Sequence, residues 1–309
     1  MNSNGLVSVV IPTYYRNDGL RRAIESALSQ TYDPVEVIVV DDSGERYAEP
    51  VAREYDVTYI AHEENLGGNP ARNTGIKAAS GEYIQLLDDD DRLLPEKLER
   101  QIPALEADPS VGVVYCGLRE TSGELTLPDS EKRGDVLEQA LRFDLHPCQT
   151  VTMLFRGDLL RELCPLADRE AADDLGMKIR AAARTRFEFV DEALVIRGSS
   201  ESHRAAKLEY SDEIWNMIES FGHLYDRFDE SVRRDAIVLG YKSKGYRLLQ
   251  QRWWSVTAIV AFAKALYHRR SADPSLIAAL LSAVFGRPIY TLARGAKEQW
   301  RTRRSTDRR

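Results

Sequence analysis

The first half of the chain alternates short apolar runs with polar, turn-forming segments. Residues 6–11 (LVSVVI), 35–40 (VEVIVV), 58–61 (TYIA), 83–87 (YIQLL) and 111–116 (VGVVYC) are too short for helices and rich in β-branched and aromatic residues, so each reads as a buried strand. Between them the period changes. Asn17 or Asp18 caps a helix whose apolar side is Leu20, Ile24, Ala27 and Leu28, at i, i+4, i+7 and i+8. Pro70 suits the first position of a helix running to Ala79, and a further helix spans about 95–107. Strands alternating with helices at this rhythm predict βαβ units and an α/β fold around a mostly parallel sheet. Ligands of such sheets collect where the strands stop, which here gathers Thr13, Asp41, Asp42 and Asp88 to Asp91 at one edge. A nucleotide belongs there. No GxGxxG follows the first strand and no GxxxxGK[ST] occurs, so a dinucleotide oxidoreductase and a P-loop phosphotransferase both lack their usual phosphate cradle.

The pattern is weaker further on. Residues 117–144 read as a polar loop with one helix near 135–143, and 149–155 (QTVTMLF) alternate like a half-buried strand. Residues 173–185 open on Asp173 and Asp174 and continue as a helix, where two acids are stabilised by the helix dipole. From residue 202 onward the chain reads as nearly all helix, which predicts an α/β domain over 1–200 and a helical region with a basic tail over 201–309. The most apolar stretches, 253–263 and 275–286, end at Lys264 and Arg287, short of the ~18 uncharged residues a spanning helix needs. They suit core helices of a small bundle, or an interfacial pair carrying Trp253, Trp254 and the tail against a membrane.

Composition narrows the class. With 309 residues, 43% hydrophobic and 29% charged, the chain can bury ample core. Its net charge of −7 conceals a basic end, since Arg294, Lys297, Arg301, Arg303, Arg304, Arg308 and Arg309 face only Glu298 and Asp307. An acidic body without a recognition motif argues against nucleic acid. Cys116, Cys148 and Cys164 are odd in number and lack CxxC spacing, as expected of reduced thiols in a cytoplasmic protein without a zinc site. The first residues lack a basic n-region, so no signal peptide is predicted.

Asp88 to Asp91, four consecutive acids after an apolar strand, are the feature with most chemical content. Each like-charged pair at ~4 Å costs about 1 to 4 kcal/mol. A divalent cation reverses the sign, and oxygen-only ligands suit Mg²⁺ or Mn²⁺. A solvated acidic loop is the plain alternative.

Several motifs in order decide between them. Val7 to Tyr14 (VSVVIPTY), Val39-Val-Asp41-Asp42-Ser43, Asn65-Leu-Gly67, Ala71-Arg72-Asn73 with Gly75, Gly81 to Asp91 followed by Leu93 and Pro95, and Asp173-Asp174 with Arg180 together resemble the inverting glycosyltransferases of family 2, with the GT-A nucleotide-sugar-binding fold. The resemblance covers roughly the first two hundred residues. It implies a divalent metal, Mn²⁺ or Mg²⁺, held by Asp90 with Asp88, and Asp174 as the general base that takes the acceptor hydroxyl's proton, with Asp173 where the family has Glu. It places Asp41 or Asp42 at base and ribose, lets Asp88 approach the ribose, and counts Thr13, Arg72, Asn73 and Asp89 among the donor-binding residues. The implied reaction moves a sugar from a nucleotide-sugar, UDP-linked by expectation, to a hydroxyl acceptor such as a polyprenyl-linked saccharide, on the cytoplasmic face of a membrane. A GDP-sugar, a soluble or protein acceptor, or a non-catalytic subunit that binds nucleotide-sugar or recruits partners are the alternatives. Tyr15 stands where the family commonly has Asn, Cys164 replaces a frequent Gly, and Ser199 stands where a histidine is common, leaving His203 as the nearest candidate.

Overall fold

The computed structural model describes residues 5–167, 173–198, 209–252, 254–271 and 273–285. In chain order these form β1 (Val7–Thr13), α1 (Asn17–Leu28), β2 (Val35–Asp41), a short α2 (Glu49–Ala52), β3 (Thr58–Ala61), α3 (Gly68–Ala78), β4 (Tyr83–Leu86), β5 (Arg92–Leu93), α4 (Lys97–Ala107), β6 (Val111–Glu120) and β7 (Leu125–Thr126). There follow α5 (Leu137–Leu141), β8 (Leu154–Arg156), α6 (Gly157–Leu163), α7 (Asp173–Ala182) and β9 (Arg186–Arg197), then the helices α8 (Glu209–Ser220), α9 (Gly222–Tyr225), α10 (Glu230–Gln251), α11 (Val256–Arg269) and α12 (Pro274–Phe285).

The described residues fall into two compact units, the first holding every described strand and the helices α1 to α4, α6 and α7. Its single sheet runs β3-β2-β1-β4-β8-β6-β9-β5, with β7 paired to β6. Strands β3, β2, β1 and β4 are mutually parallel, and the long β6–β9 ladder is parallel too. Most of the paired length is therefore parallel, and both faces of β1 and β2 are buried, which is why their sequences read as continuous apolar runs. β8 inserts antiparallel between β4 and β6.

The stretch 149–155 is not the single half-buried strand its alternation predicts. Thr150–Thr152 is one 3-10 turn, held by reciprocal bonds between Gln149 and Thr152, and only Leu154–Arg156 pairs in the sheet. The Thr152 hydroxyl accepts from the Gln149 amide at 2.8 Å and donates to the Pro147 carbonyl at 2.9 Å, an offer that competes with a strand ladder.

The core of this unit contains a lysine. Lys97, at the start of α4, is fully buried and donates to the side-chain carbonyls of Gln85 and Gln101, the latter at 2.6 Å. The Gln101 amide in turn reaches the carbonyls of Val114 (2.8 Å) and Thr152 (3.0 Å), so the polar cluster ties α4 to the sheet and to the 3-10 turn. Neither of these partners of the ammonium is a carboxylate, and burial pulls its pKa down to about 8.

The second unit takes Leu141–Phe143 and α8 to α12. α10, α11 and α12 pack around Leu248, Leu249, Phe262, Ala265 and Leu276. Asp229 and Ser255 cap α10 and α11 with their side chains, and Asp235 pairs with both Arg142 and Arg269. Among the described residues no helix is long and apolar enough to cross a membrane.

Lys97 generates a stability prediction with a definite sign. The unfolded chain keeps the lysine proton to about pH 10.4, whereas the folded chain releases it near 8. Between those values the unfolded state binds more protons, so stability rises with pH. The gap in unfolding free energy between the native chain and Lys97→Met is expected to move about 2 kcal/mol in favour of the native chain from about pH 7 to pH 10. Denaturant titrations of both proteins at the two pH values check this, and a gap independent of pH contradicts it.

Candidate active site

The site is built on the loop that leaves β4. The Leu87 amide still bonds to the Val10 carbonyl at 2.9 Å, so the acids emerge at the carboxyl edge of the sheet, beside the end of β1. The Asp91 amide then closes a turn on the Asp88 carbonyl at 3.0 Å. That turn brings carboxylate oxygens of Asp88, Asp90 and Asp91 within 4.8 Å of one another. Asp89 has different partners: buried, it accepts from the Thr13 hydroxyl at 2.8 Å and from Arg16 at 3.0 Å. Burial raises its pKa to about 6 against both partners. Asp91 is held well above the usual carboxylate range by burial, with Asp88 and Asp90 adding repulsion, although the Gly198 amide donates to it at 2.8 Å.

Close backbone packing holds the loop. A β-carbon on Gly19, in α1, would run into the Asp89 carbonyl, and one on Gly198, just past β9, into the Asp90 carbonyl. Opposite charge holds it as well. Arg72 lies buried on α3 with one nitrogen 2.6 Å from Asp88 and another 2.8 Å from the Asn69 side-chain oxygen, and Arg16 reaches Asp90 at 3.3 Å.

Three converging carboxylates made only of hard oxygen donors, one of them pushed toward its protonated form by burial and then by the other two, fit a divalent cation such as Mg²⁺ or Mn²⁺. Asp91, absent from the residues expected at the metal, completes this group.

The acids ending β2 serve the scaffold. Asp41 accepts from the amides of Ser43 (2.9 Å) and Ala48 (2.7 Å) and from the Tyr59 hydroxyl (2.8 Å). Asp42 accepts from the amides of Leu66 (2.9 Å) and Gly67 (2.8 Å) and lies 2.7 Å from His62, whose other ring nitrogen meets Thr74. Both are buried, so these carboxylates, expected at base and ribose, hold the loops around that edge. Asn73, also expected at the donor, brackets the backbone of Leu166 with both ends of its amide, at 2.7 and 3.0 Å.

Asn69 reaches the Ala167 carbonyl at 2.5 Å, and Arg180 the Pro165 carbonyl at 3.1 Å. The segment 165–167 is thereby pinned from α3 and from α7. On α7, Asp174 pairs at 2.8 Å with Lys178, one turn on, whose buried ammonium also bonds to the Cys148 carbonyl at 2.9 Å. The Asp173 side chain, Ser199 and His203 lie outside the described residues.

Comparisons with known proteins agree with this architecture. Residues 8–164 match the family described as Glycosyl transferase family 2. An uncharacterised glycosyltransferase of Methanocaldococcus jannaschii is 36% identical over 205 residues, covering 62% of this chain and 69% of the relative. The chain belongs to glycosyltransferase family 2. Uncharacterised glycosyltransferases of Rickettsia typhi (43% identical over 114 residues) and Haemophilus influenzae (35% over 111) match 36% of the chain each, and the matched stretch spans only 36% and 38% of their own lengths. Among solved structures, the mannosyltransferase PcManGT from Pyrobaculum calidifontis, in complex with GDP-Man and Mn²⁺, superposes with a TM-score of 0.60 at 20% identity, covering 94% of this chain and 84% of that one. Residues 1–349 of S. aureus TarS in complex with UDP-GlcNAc give 0.56 at 17% identity, covering 89% and 90%. The fold is GT-A.

Within that family frame, the departure at Tyr15 has a physical account. Its φ of 53° lies in the left-handed region, which Asn tolerates better than most side chains. Tyr15 offsets the cost by packing between Tyr14 and Tyr47, with ring centroids 4.7 and 4.9 Å away, and by donating to the Ser43 carbonyl at 3.2 Å. Arg16, Asn69, Lys178 and Gly198 escaped the sequence reading, and Asp91 entered it as part of the acid run without a metal role of its own. Of the four, only Lys178 carried a local signal, its i+4 spacing from Asp174.

Asp42 is expected to be structural before it is anything else. Asp42→Ala would strand two backbone amides and His62, and should lower unfolding free energy by about 3 kcal/mol. Denaturant unfolding measures this; a loss below about 0.5 kcal/mol would deny the carboxylate its scaffold role.

Proposed function

We propose that the chain is a metal-dependent, inverting glycosyltransferase that moves a sugar from a nucleotide-sugar to a hydroxyl acceptor. The observation that carries this is the convergence of Asp88, Asp90 and Asp91 at the carboxyl edge of a GT-A sheet. A UDP-sugar is the leading donor, as in the TarS complex, and a GDP-sugar is the alternative that PcManGT binds. A polyprenyl-linked saccharide is the acceptor class, reached from the cytoplasmic face of a membrane.

In this reading Asp88 and Asp90, with Asp91, hold the cation. When bound, the ion supplies Lewis-acid neutralisation of charge on the leaving diphosphate. Arg72 fixes Asp88, and Arg16 with Thr13 fixes Asp89, so the carboxylates are aimed before a donor arrives. Asp174 takes the proton of the acceptor hydroxyl as its oxygen attacks the anomeric carbon from the side opposite the diphosphate. The bond from that carbon to the diphosphate oxygen breaks, and its electron pair leaves with the nucleoside diphosphate. Lys178 holds one oxygen of Asp174 and so orients the other toward the acceptor. Asp41, Asp42 and Asn73 act through the loops they hold, shaping the donor pocket.

Two variants test the assignment. Asp174→Asn should bind nucleotide-sugar as the native chain does while transfer falls by about 10² to 10⁴-fold; near-native turnover removes Asp174 from the base role. Asp90→Ala should lose the metal-dependent part of donor binding in a calorimetric titration. Donor affinity that responds to Mn²⁺ as before would place the metal elsewhere.

A further inference from the structure

α12 is an unusual helix for the surface it occupies. Pro274–Phe285 carries no charged residue on any side. Leu276, Ala279, Ser282 and Ala283 are buried, facing the α10–α11 core. The other side is open: Ile277, Leu281, Val284 and Phe285 are 40%, 53%, 46% and 64% exposed. Trp254, itself half exposed, donates its indole N–H to the Val284 carbonyl at 3.0 Å, which sets its ring beside the last turn of α12 and extends the apolar surface. A helix apolar all round is normally covered all round. Contiguous exposed apolar surface with an aromatic at its edge marks a contact site.

The charge of the neighbouring sequence says what covers it. Residues 286–309, which continue directly from α12, contain eight Arg or Lys against Glu298 and Asp307. That surplus of six positive charges leaves −13 for the rest of a chain whose net charge is −7. A second copy meeting this face about a two-fold axis would bring like-charged segments together. An anionic bilayer offers an apolar layer and negative charge at the same place, and tryptophan prefers that boundary.

We propose that the α12 face, with Trp254, docks on an anionic phospholipid surface, and that the basic segment following α12 supplies the electrostatic half of the attachment. This is independent of the transfer chemistry and of which donor is used. Among the described residues no helix is long and apolar enough to cross, so the α12 face lies along the surface.

The test is flotation of the full chain with vesicles of phosphatidylcholine, alone and mixed with phosphatidylglycerol. Binding is expected on the mixed vesicles only and is expected to weaken as salt rises. Leu281→Ser/Phe285→Ser should reduce binding by about tenfold or more, and Arg303→Glu/Arg304→Glu should reduce it while leaving the apolar face intact. None of the substituted residues is among those assigned to the donor or the metal, and thermal unfolding at the native temperature shows that the double variants are folded. No binding to anionic vesicles overturns the proposal, as does equal binding to neutral ones. Binding unchanged by Leu281→Ser/Phe285→Ser overturns it too. Concentration-dependent self-association that the same variant abolishes, without vesicle binding, would make the face an interface between copies.

Discussion

The structure turns on the repulsion among Asp88, Asp90 and Asp91. Three carboxylates with oxygens inside 4.8 Å would open the loop if it were free to move. It is not free. Arg72 grips Asp88 from α3, the Gly198 amide grips Asp91 from the end of β9, and Arg16 spans Asp89 and Asp90 from the start of α1. Burial raises Asp91's proton affinity, and the charge of Asp88 and Asp90 left over after those contacts raises it further. That surplus is what a divalent ion removes. The local strain of the loop and its readiness for a cation therefore have one origin, and the elements around it, from Gly19 to Gly198, are arranged to keep the acids together rather than to let them relax.

Much of this was readable in the chain. The buried parallel strands β1, β2 and β4 announce themselves as apolar runs, and the strand ends gather Thr13, Asp41, Asp42 and the four acids in sequence as they do in space. What could not be read was the direction of individual side chains. Asp89 lies between Asp88 and Asp90 in sequence, yet the turn sends it to Thr13 and Arg16. Asp41 and Asp42 stand where donor ligands are expected, and their second task, accepting from loop amides, left no mark in the sequence. The strand expected over 149–155 is cut back to antiparallel β8 because the Thr152 hydroxyl holds its first half in a turn. Lys97 could not be foreseen at all, since a lysine opening an amphipathic helix ordinarily points to water.

The second unit follows another logic. Its helices hold together through an ordinary apolar core and two capping side chains, and nothing in that core requires α12 to be free of charge on its outward side. An outer face shaped beyond the needs of packing points to selection for contact. Family 2 chemistry with a lipid-linked acceptor would benefit from such an anchor, because confinement to a surface raises the effective concentration of acceptor at the site.

The most direct measurement of the central claim is a calorimetric titration of the purified chain with UDP-sugars and GDP-sugars, first with Mn²⁺ and then with the metal chelated. The acid loop predicts that one donor binds, that it binds with the metal present, and that chelation abolishes the heat. A donor that binds equally well without metal, or no binding of any donor under either condition, would contradict it.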